Sequence, residues 1–64
     1  MHDFVYLETH RGNYKAITRP MINQMTRAEL ERHLEDRGFA VYDNESTDLL
    51  RDTALEDFDA HNPY

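Results

Sequence analysis

The sequence predicts an α+β fold, in which an N-terminal β-hairpin packs on two short helices joined by an extended loop. Three observations predict it. The first third of the chain is rich in aromatic and β-branched residues, a composition that favours strands. A helix-capping sequence lies in the middle, and a second capped stretch with apolar residues four apart fills the last third.

The chain of 64 residues is predicted to form one domain. We divide it into a hairpin at 1–20, a helix–extended loop–helix segment at 25–60 and a tail at 61–64. A domain of roughly 60 residues buries only about 60% of the surface of its unfolded chain, so its stability is expected to be marginal. The chain has no cysteine, and this excludes disulfides and cysteine-ligated metals as sources of stability.

The hairpin is predicted from two strand-forming runs, Phe4–Leu7 and Tyr14–Thr18. Gly12-Asn13 lies between them and supplies the positive φ that a tight turn needs. Arg19-Pro20 is expected to end the second strand, because proline has no N–H to donate to a ladder.

The first helix is expected to begin at Thr26, which can form a capping box with Glu29. Met25 and Leu30 stand at hydrophobic-staple positions. Gly38 fits the left-handed position that follows a helix.

The second helix is expected to follow an extended apolar segment, Phe39–Tyr42, and to be capped by Ser46 or Thr47. Asn62-Pro63 is expected to stop it. The apolar positions of the whole chain give the predicted core: Val5, Leu7, Ile17, Met25, Leu30, Leu34, Phe39, Val41, Leu50, Ala54, Leu55 and Phe58.

The net charge of −6 is unevenly distributed, since residues 1–27 carry +2 and residues 28–64 carry −8. The acidic part repels a polyanion such as DNA and suits a basic protein surface. The predicted partner-binding residues are the acids of the two helices and the last aromatic: Glu31, Glu35, Asp52, Glu56, Asp57, Asp59 and Tyr64.

Basic and aromatic residues interleave in the hairpin, a pattern typical of proteins that bind single-stranded nucleic acid. The residues of this alternative site are Arg11, Tyr14, Lys15 and Arg19. The structural alternative is that Tyr6 and Tyr14 form a cross-strand pair with solvated charges around it.

Catalytic chemistry finds little support in the sequence. Ser46 is the only serine and is expected to cap a helix rather than act as a nucleophile. The four histidines show no metal-ligand spacing, and His33 is expected to lie on a helix surface one turn after Glu29. We therefore predict that the protein is not an enzyme and that it uses no metal or cofactor.

The longest apolar runs are far shorter than the roughly 20 residues that span a bilayer. The first residues also lack the basic and apolar regions of a signal peptide. We therefore expect no membrane association and a cytoplasmic location.

One stretch of the chain resembles the helix–extended loop–helix group, which includes SAP, LEM and phage-type HeH domains. It comprises Thr26-Arg27-Ala28-Glu29-Leu30, Leu34-Glu35-Asp36-Arg37-Gly38-Phe39 and Ser46-Thr47-Asp48-Leu49-Leu50. The resemblance implies nucleic-acid binding, as in SAP-like members, or protein binding, as in LEM-like members, and a phage-type origin. Asp43-Asn44-Glu45 stands where SAP-like loops tend to have Gly and Lys, which disfavours DNA binding by this half.

The last eight residues, Asp57-Phe58-Asp59-Ala60-His61-Asn62-Pro63-Tyr64, resemble the acidic tip of bacterial single-stranded-DNA-binding proteins. The resemblance implies that the terminal aromatic enters an apolar pocket of a partner. Tyr64 stands where that family has Phe.

The function predicted from these observations is that of a small phage-type accessory protein. It would bind a host protein with a basic surface, such as a nucleic-acid enzyme in the host cytoplasm. It would modulate or inhibit that protein. The alternatives are a nucleic-acid-binding HeH-type module that uses the basic hairpin and a structural component of a larger assembly.

Overall fold

The computed structural model describes residues 4–9 and 11–61 and shows a hairpin followed by helices. The elements are β1 (Phe4–Glu8), β2 (Tyr14–Thr18), α1 (Arg19–Gln24), α2 (Arg27–Asp36) and α3 (Thr47–His61). The predicted α+β class is confirmed. The short helix α1 was not predicted.

The hairpin is antiparallel, with Val5 opposite Ile17 and Leu7 opposite Lys15. Gly12 adopts a φ of +82°, and its N–H donates to the carbonyl of Thr9 at 2.9 Å. Since no described residue other than glycine has a positive φ, Gly12 alone supplies the left-handed conformation that we assigned to Gly12-Asn13.

The predicted cross-strand pair of tyrosines is wrong. Tyr6 stands opposite Ala16, whereas Tyr14 stands opposite Glu8. Tyr6 and Tyr14 are instead diagonal neighbours on the outer face of the hairpin.

Helix α1 begins where we expected only the end of a strand. Thr18 caps it, because its hydroxyl accepts from the N–H of Met21 at 3.2 Å. Pro20 lies in the first turn, where its missing N–H leaves no helical hydrogen bond unmade. The helix places Ile22 in the core with 0% exposure.

Helix α2 has the predicted boundaries. The capping box is complete: Glu29 N–H donates to Thr26 Oγ1 at 3.3 Å, and Thr26 N–H donates to Glu29 Oε1 at 3.0 Å. At the other end Gly38 has a φ of +89°, and the N–H groups of Gly38 and Phe39 donate to the carbonyls of Glu35 and Leu34, both at 2.9 Å. These two bonds satisfy carbonyls that the helix end would leave unpaired.

Helix α3 runs in the same general direction as α2. Near their N-terminal ends Arg27 NH1 donates to Thr47 Oγ1 at 3.4 Å, and near their C-terminal ends Arg37 Nε donates to Asp57 Oδ2 at 2.7 Å. The connecting loop must therefore travel back along the length of α2, which requires an extended segment. Ser46 caps α3, since its Oγ accepts from Leu49 N–H at 3.1 Å.

The core lies where the hairpin and the three helices meet. Its buried apolar residues are Val5, Leu7, Ile17, Ile22, Leu30, Leu34, Leu50, Ala54 and Phe58. Three partly buried apolar residues pack against the edge of this cluster: Met25, Val41 and Leu55. Phe39 was wrongly placed in the core: it follows the turn at Gly38 and is 39% exposed.

Arg51 joins α3 to the end of α1. Its guanidinium donates to the carbonyls of Ile22 at 3.3 Å and Met25 at 2.6 Å. The first carbonyl lies in the last turn of α1, where it also accepts from Met25 N–H at 3.3 Å, and the second belongs to the C-cap residue of the helix. The contact therefore fixes α1 against α3.

Candidate functional site

Four carboxylates form an acidic stripe along the exposed side of α3: Asp48, Asp52, Glu56 and Asp59. Spacings of three and four residues bring these side chains to one face of the helix, opposite the face that buries Leu50 and Ala54. Leu49 lies beside the stripe and is 47% exposed. The stripe therefore presents negative charge next to an apolar side chain, a combination that can contact the surface of a partner protein.

Two acids of the stripe are engaged within the molecule and two are not. Asp59 pairs with Arg19, and Asp48 Oδ1 lies 3.8 Å from Arg51 NH1. Asp52 and Glu56 form no ion pair with any residue in the described part of the chain. The centre of the stripe is therefore the part with its charge available to a partner.

The other predicted partner-binding residues lie elsewhere. Glu31 and Glu35 are on α2, where Glu31 Oε2 accepts from Arg27 Nε at 2.9 Å and Glu35 is exposed. Tyr64 lies outside the described residues.

Asp57, which we predicted to bind a partner, does not belong to the exposed acidic surface, because it is buried. Only 6% of its side chain is exposed, and that of Arg37 is 11% exposed. Arg37 Nε donates to Asp57 Oδ2 at 2.7 Å and Arg37 NH2 to Asp57 Oδ1 at 3.1 Å. This two-point ion pair is an internal contact between α2 and α3.

Two further contacts surround the ion pair. Arg37 NH1 donates to the carbonyl of Glu8 in β1, and Arg37 NH2 lies 3.3 Å from His61 Nε2. The hydrogen bond to Asp57 raises the pKa of Arg37 above its ordinary range. One guanidinium thus connects the hairpin, α2 and α3.

His33 is buried rather than on the helix surface, which corrects the sequence-based expectation. It is 1% exposed, and neither ring nitrogen has a hydrogen-bond partner. Burial lowers its pKa below 6.5, and the positive charge of Lys15 acts in the same direction.

The predicted nucleic-acid site divides into two parts. Arg11, Tyr14 and Lys15 line one groove of about 200 Å³ together with Arg32 of α2. The remaining residues of this groove are Thr9, Asn13 and Asp36. Arg19 lies apart from this groove, where it pairs with Asp59 and lies over the Phe58 ring at 5.5 Å. Sequence reasoning missed Arg32, because its approach to the hairpin depends on the tertiary fold.

Residues 4–9 and 11–61 contain no group of three or more His, Cys, Asp or Glu side chains that could hold a metal ion. None of the helices described in the structure is long and apolar enough to cross a membrane.

Comparison with known proteins adds no assignment. No protein-family model, curated protein or solved structure matches the chain. The resemblance to helix–extended loop–helix domains therefore stays a prediction.

Proposed function

We propose that this chain is a non-catalytic protein-binding module whose acidic stripe docks on a basic surface of a partner. The observation that supports this most directly is the exposed position of Asp52 and Glu56, which have no cationic partner in the described part of the molecule. Charges of this kind steer association and determine which partners are excluded.

The partner we propose is a host protein with a basic surface, such as a nucleic-acid enzyme, which the chain would modulate or inhibit. A surface that recognises phosphates carries clustered Lys and Arg, and a row of carboxylates along a helix is electrostatically complementary to it. Leu49 would lie at the edge of such an interface and lose its exposure.

The test is affinity capture from a bacterial lysate with the immobilised protein, followed by elution in increasing salt and identification of the bound proteins. We compare the unmodified protein with three single charge reversals: Asp52→Lys, Glu56→Lys and the control Asp43→Lys. Asp43 is also exposed but lies in the loop before α3, so the control changes the net charge equally without altering the stripe.

Support requires one identified protein that binds directly after purification, elutes with salt, and loses affinity with Asp52→Lys and Glu56→Lys but not with Asp43→Lys. Equal capture by all four proteins would rule out the stripe as the contact surface. A version without Asn62, Pro63 and Tyr64 tests the predicted role of the tail in the same assay.

A further inference from the structure

The outer face of the hairpin exposes three aromatic side chains. Phe4 is 40% exposed, Tyr6 63% and Tyr14 65%. The rings of Phe4 and Tyr6 are 5.2 Å apart and nearly perpendicular, and Tyr14 is the diagonal neighbour of Tyr6 across the strands. Aromatic rings on a solvent-facing sheet leave flat surfaces on which other planar groups can stack.

Tyr14 also belongs to the cationic groove beside this aromatic face. Arg11, Lys15 and Arg32 line the groove with it. Lys15 Nζ lies 3.5 Å from Asp36 Oδ2, whereas Arg11 and Arg32 form no ion pair within the described part of the chain. Two guanidinium groups are therefore available to an anion at the end of the aromatic face.

We propose that the hairpin and α2 together bind a single-stranded nucleic acid. Bases stack on Tyr6 and Tyr14, and the adjoining phosphates are held by Arg11 and Arg32. A strand whose bases are unpaired fits this surface, because stacking needs a free base face and guanidinium groups bind phosphate oxygens with two hydrogen bonds.

The acidic character of the whole chain does not prevent such binding. Charges separated by more than about 10 Å are largely screened at 0.1 M salt, so the local cations of the groove decide the interaction. Two acids lie close to the proposed site: Glu8 stands opposite Tyr14 on the same face, and Asp36 lines the groove. These two acids limit the affinity.

The experiment measures the fluorescence anisotropy of a labelled 12-nucleotide dT strand as the 64-residue protein is added at about 0.1 M salt, where distant charges are screened. We expect saturable binding that weakens as salt rises. Tyr14→Leu should reduce affinity by roughly 5- to 150-fold, the range for loss of one base–aromatic stack, whereas Tyr14→Phe should retain it because the ring is kept.

The cations are tested with three matched variants that each remove one positive charge: Arg11→Gln, Arg32→Gln and Arg19→Gln. The first two should weaken binding and reduce its salt dependence. Arg19→Gln should leave binding almost unchanged, because Arg19 lies outside the groove and pairs with Asp59. Circular dichroism spectra establish that each variant is folded.

Three outcomes would overturn the proposal: no binding of the dT strand by the folded protein, equal binding of a duplex with no effect of Tyr14→Leu, or an equal loss with Arg19→Gln. The inference does not depend on the acidic stripe. The Asp52→Lys variant should bind the dT strand at least as well as the unmodified protein, so the two proposals can fail separately.

Discussion

Arg37 and Asp57, twenty positions apart in the chain, form a two-point ion pair that joins the C-terminal ends of α2 and α3. The pair is almost fully removed from solvent. Within it, Arg37 also donates to the backbone of β1, so a side chain at the end of one helix connects three elements of the fold.

Removing one member of this pair should be strongly destabilising. Asp57→Ala leaves the Arg37 guanidinium buried without its counter-charge, a change that typically costs about 3 kcal/mol or more. The free energy of unfolding, measured by urea denaturation, should fall by that amount. Asp52→Ala is the control, because Asp52 is exposed on the same helix and such surface changes stay within about 0.5 kcal/mol. Equal losses in the two variants would contradict a special role for the pair.

The stability of the protein should decrease in mild acid because of His33. Burial lowers the pKa of this imidazole below 6.5, so near and below that pH the unfolded chain binds a proton that the folded protein resists. Well above pH 6.5 the effect of His33 on the free energy of unfolding is constant. As the pH falls through 6.5, His33 lowers the free energy of unfolding. Lys15 and Arg37 reinforce this effect, while Asp57 and Asp36 oppose it.

The measurement is the urea midpoint at about pH 7.5 and about pH 5.5, on either side of the ordinary histidine pKa. In His33→Leu the urea midpoint should fall clearly less between the two pH values than in the unmodified protein. Near neutral pH the variant should be no less stable, because it removes two buried nitrogens that lack partners. An unchanged pH dependence in His33→Leu would show that other groups cause the decrease.

The capping box at the start of α2 should contribute measurably to stability. Thr26→Ala removes the acceptor for the Glu29 N–H and should lower the free energy of unfolding by about 1 kcal/mol. Thr26→Ser keeps the hydroxyl and should retain most of that stability. If the serine variant were as unstable as the alanine variant, the threonine methyl group rather than the cap would be responsible.

Ile22 tests the importance of the helix that the sequence did not predict. It is fully buried, so Ile22→Ala should create a cavity and cost about 2–5 kcal/mol. Met21→Ala is the matched control on the same helix, since Met21 is 44% exposed and should change the thermal midpoint much less. A small effect of Ile22→Ala would mean that α1 is peripheral to folding.

Gly38 should tolerate substitution poorly for a backbone reason alone. Its φ is +89°, and a side-chain carbon added there would meet nothing within 4 Å. Gly38→Ala should therefore cost about 1 kcal/mol through the left-handed conformation, and Gly38→Asn should cost less because asparagine adopts that conformation more readily. Equal thermal midpoints for the alanine variant and the unmodified protein would contradict this reasoning.

Local sequence signals predicted the parts of the fold that local chemistry decides. The capping box at Thr26, the helix end at Gly38 and the apolar positions of the two longer helices all depend on residues a few positions apart. Helix α1 was missed because Pro20 fits both the end of a strand and the first turn of a helix. Thr18, two residues before the proline, is the capping signal that could have indicated the helix.

The two residues misplaced on the surface carried a signal in their spacing. Asp57 follows Leu50 by seven positions and Ala54 by three, which places it on the buried side of α3. His33 follows Leu30 by three positions on the buried side of α2. By contrast, the approach of Arg32 to the hairpin joins distant parts of the chain, and no local pattern predicts it.

The shared direction of α2 and α3 gives the molecule an electrical polarity. Each helix has a partial positive charge at its N-terminus and a partial negative charge at its C-terminus, and two helices that run together place like ends side by side. Arg37 lies at the end where both negative termini meet. Its guanidinium therefore compensates two helix termini as well as the Asp57 carboxylate, and no uncharged replacement of similar size can do the same.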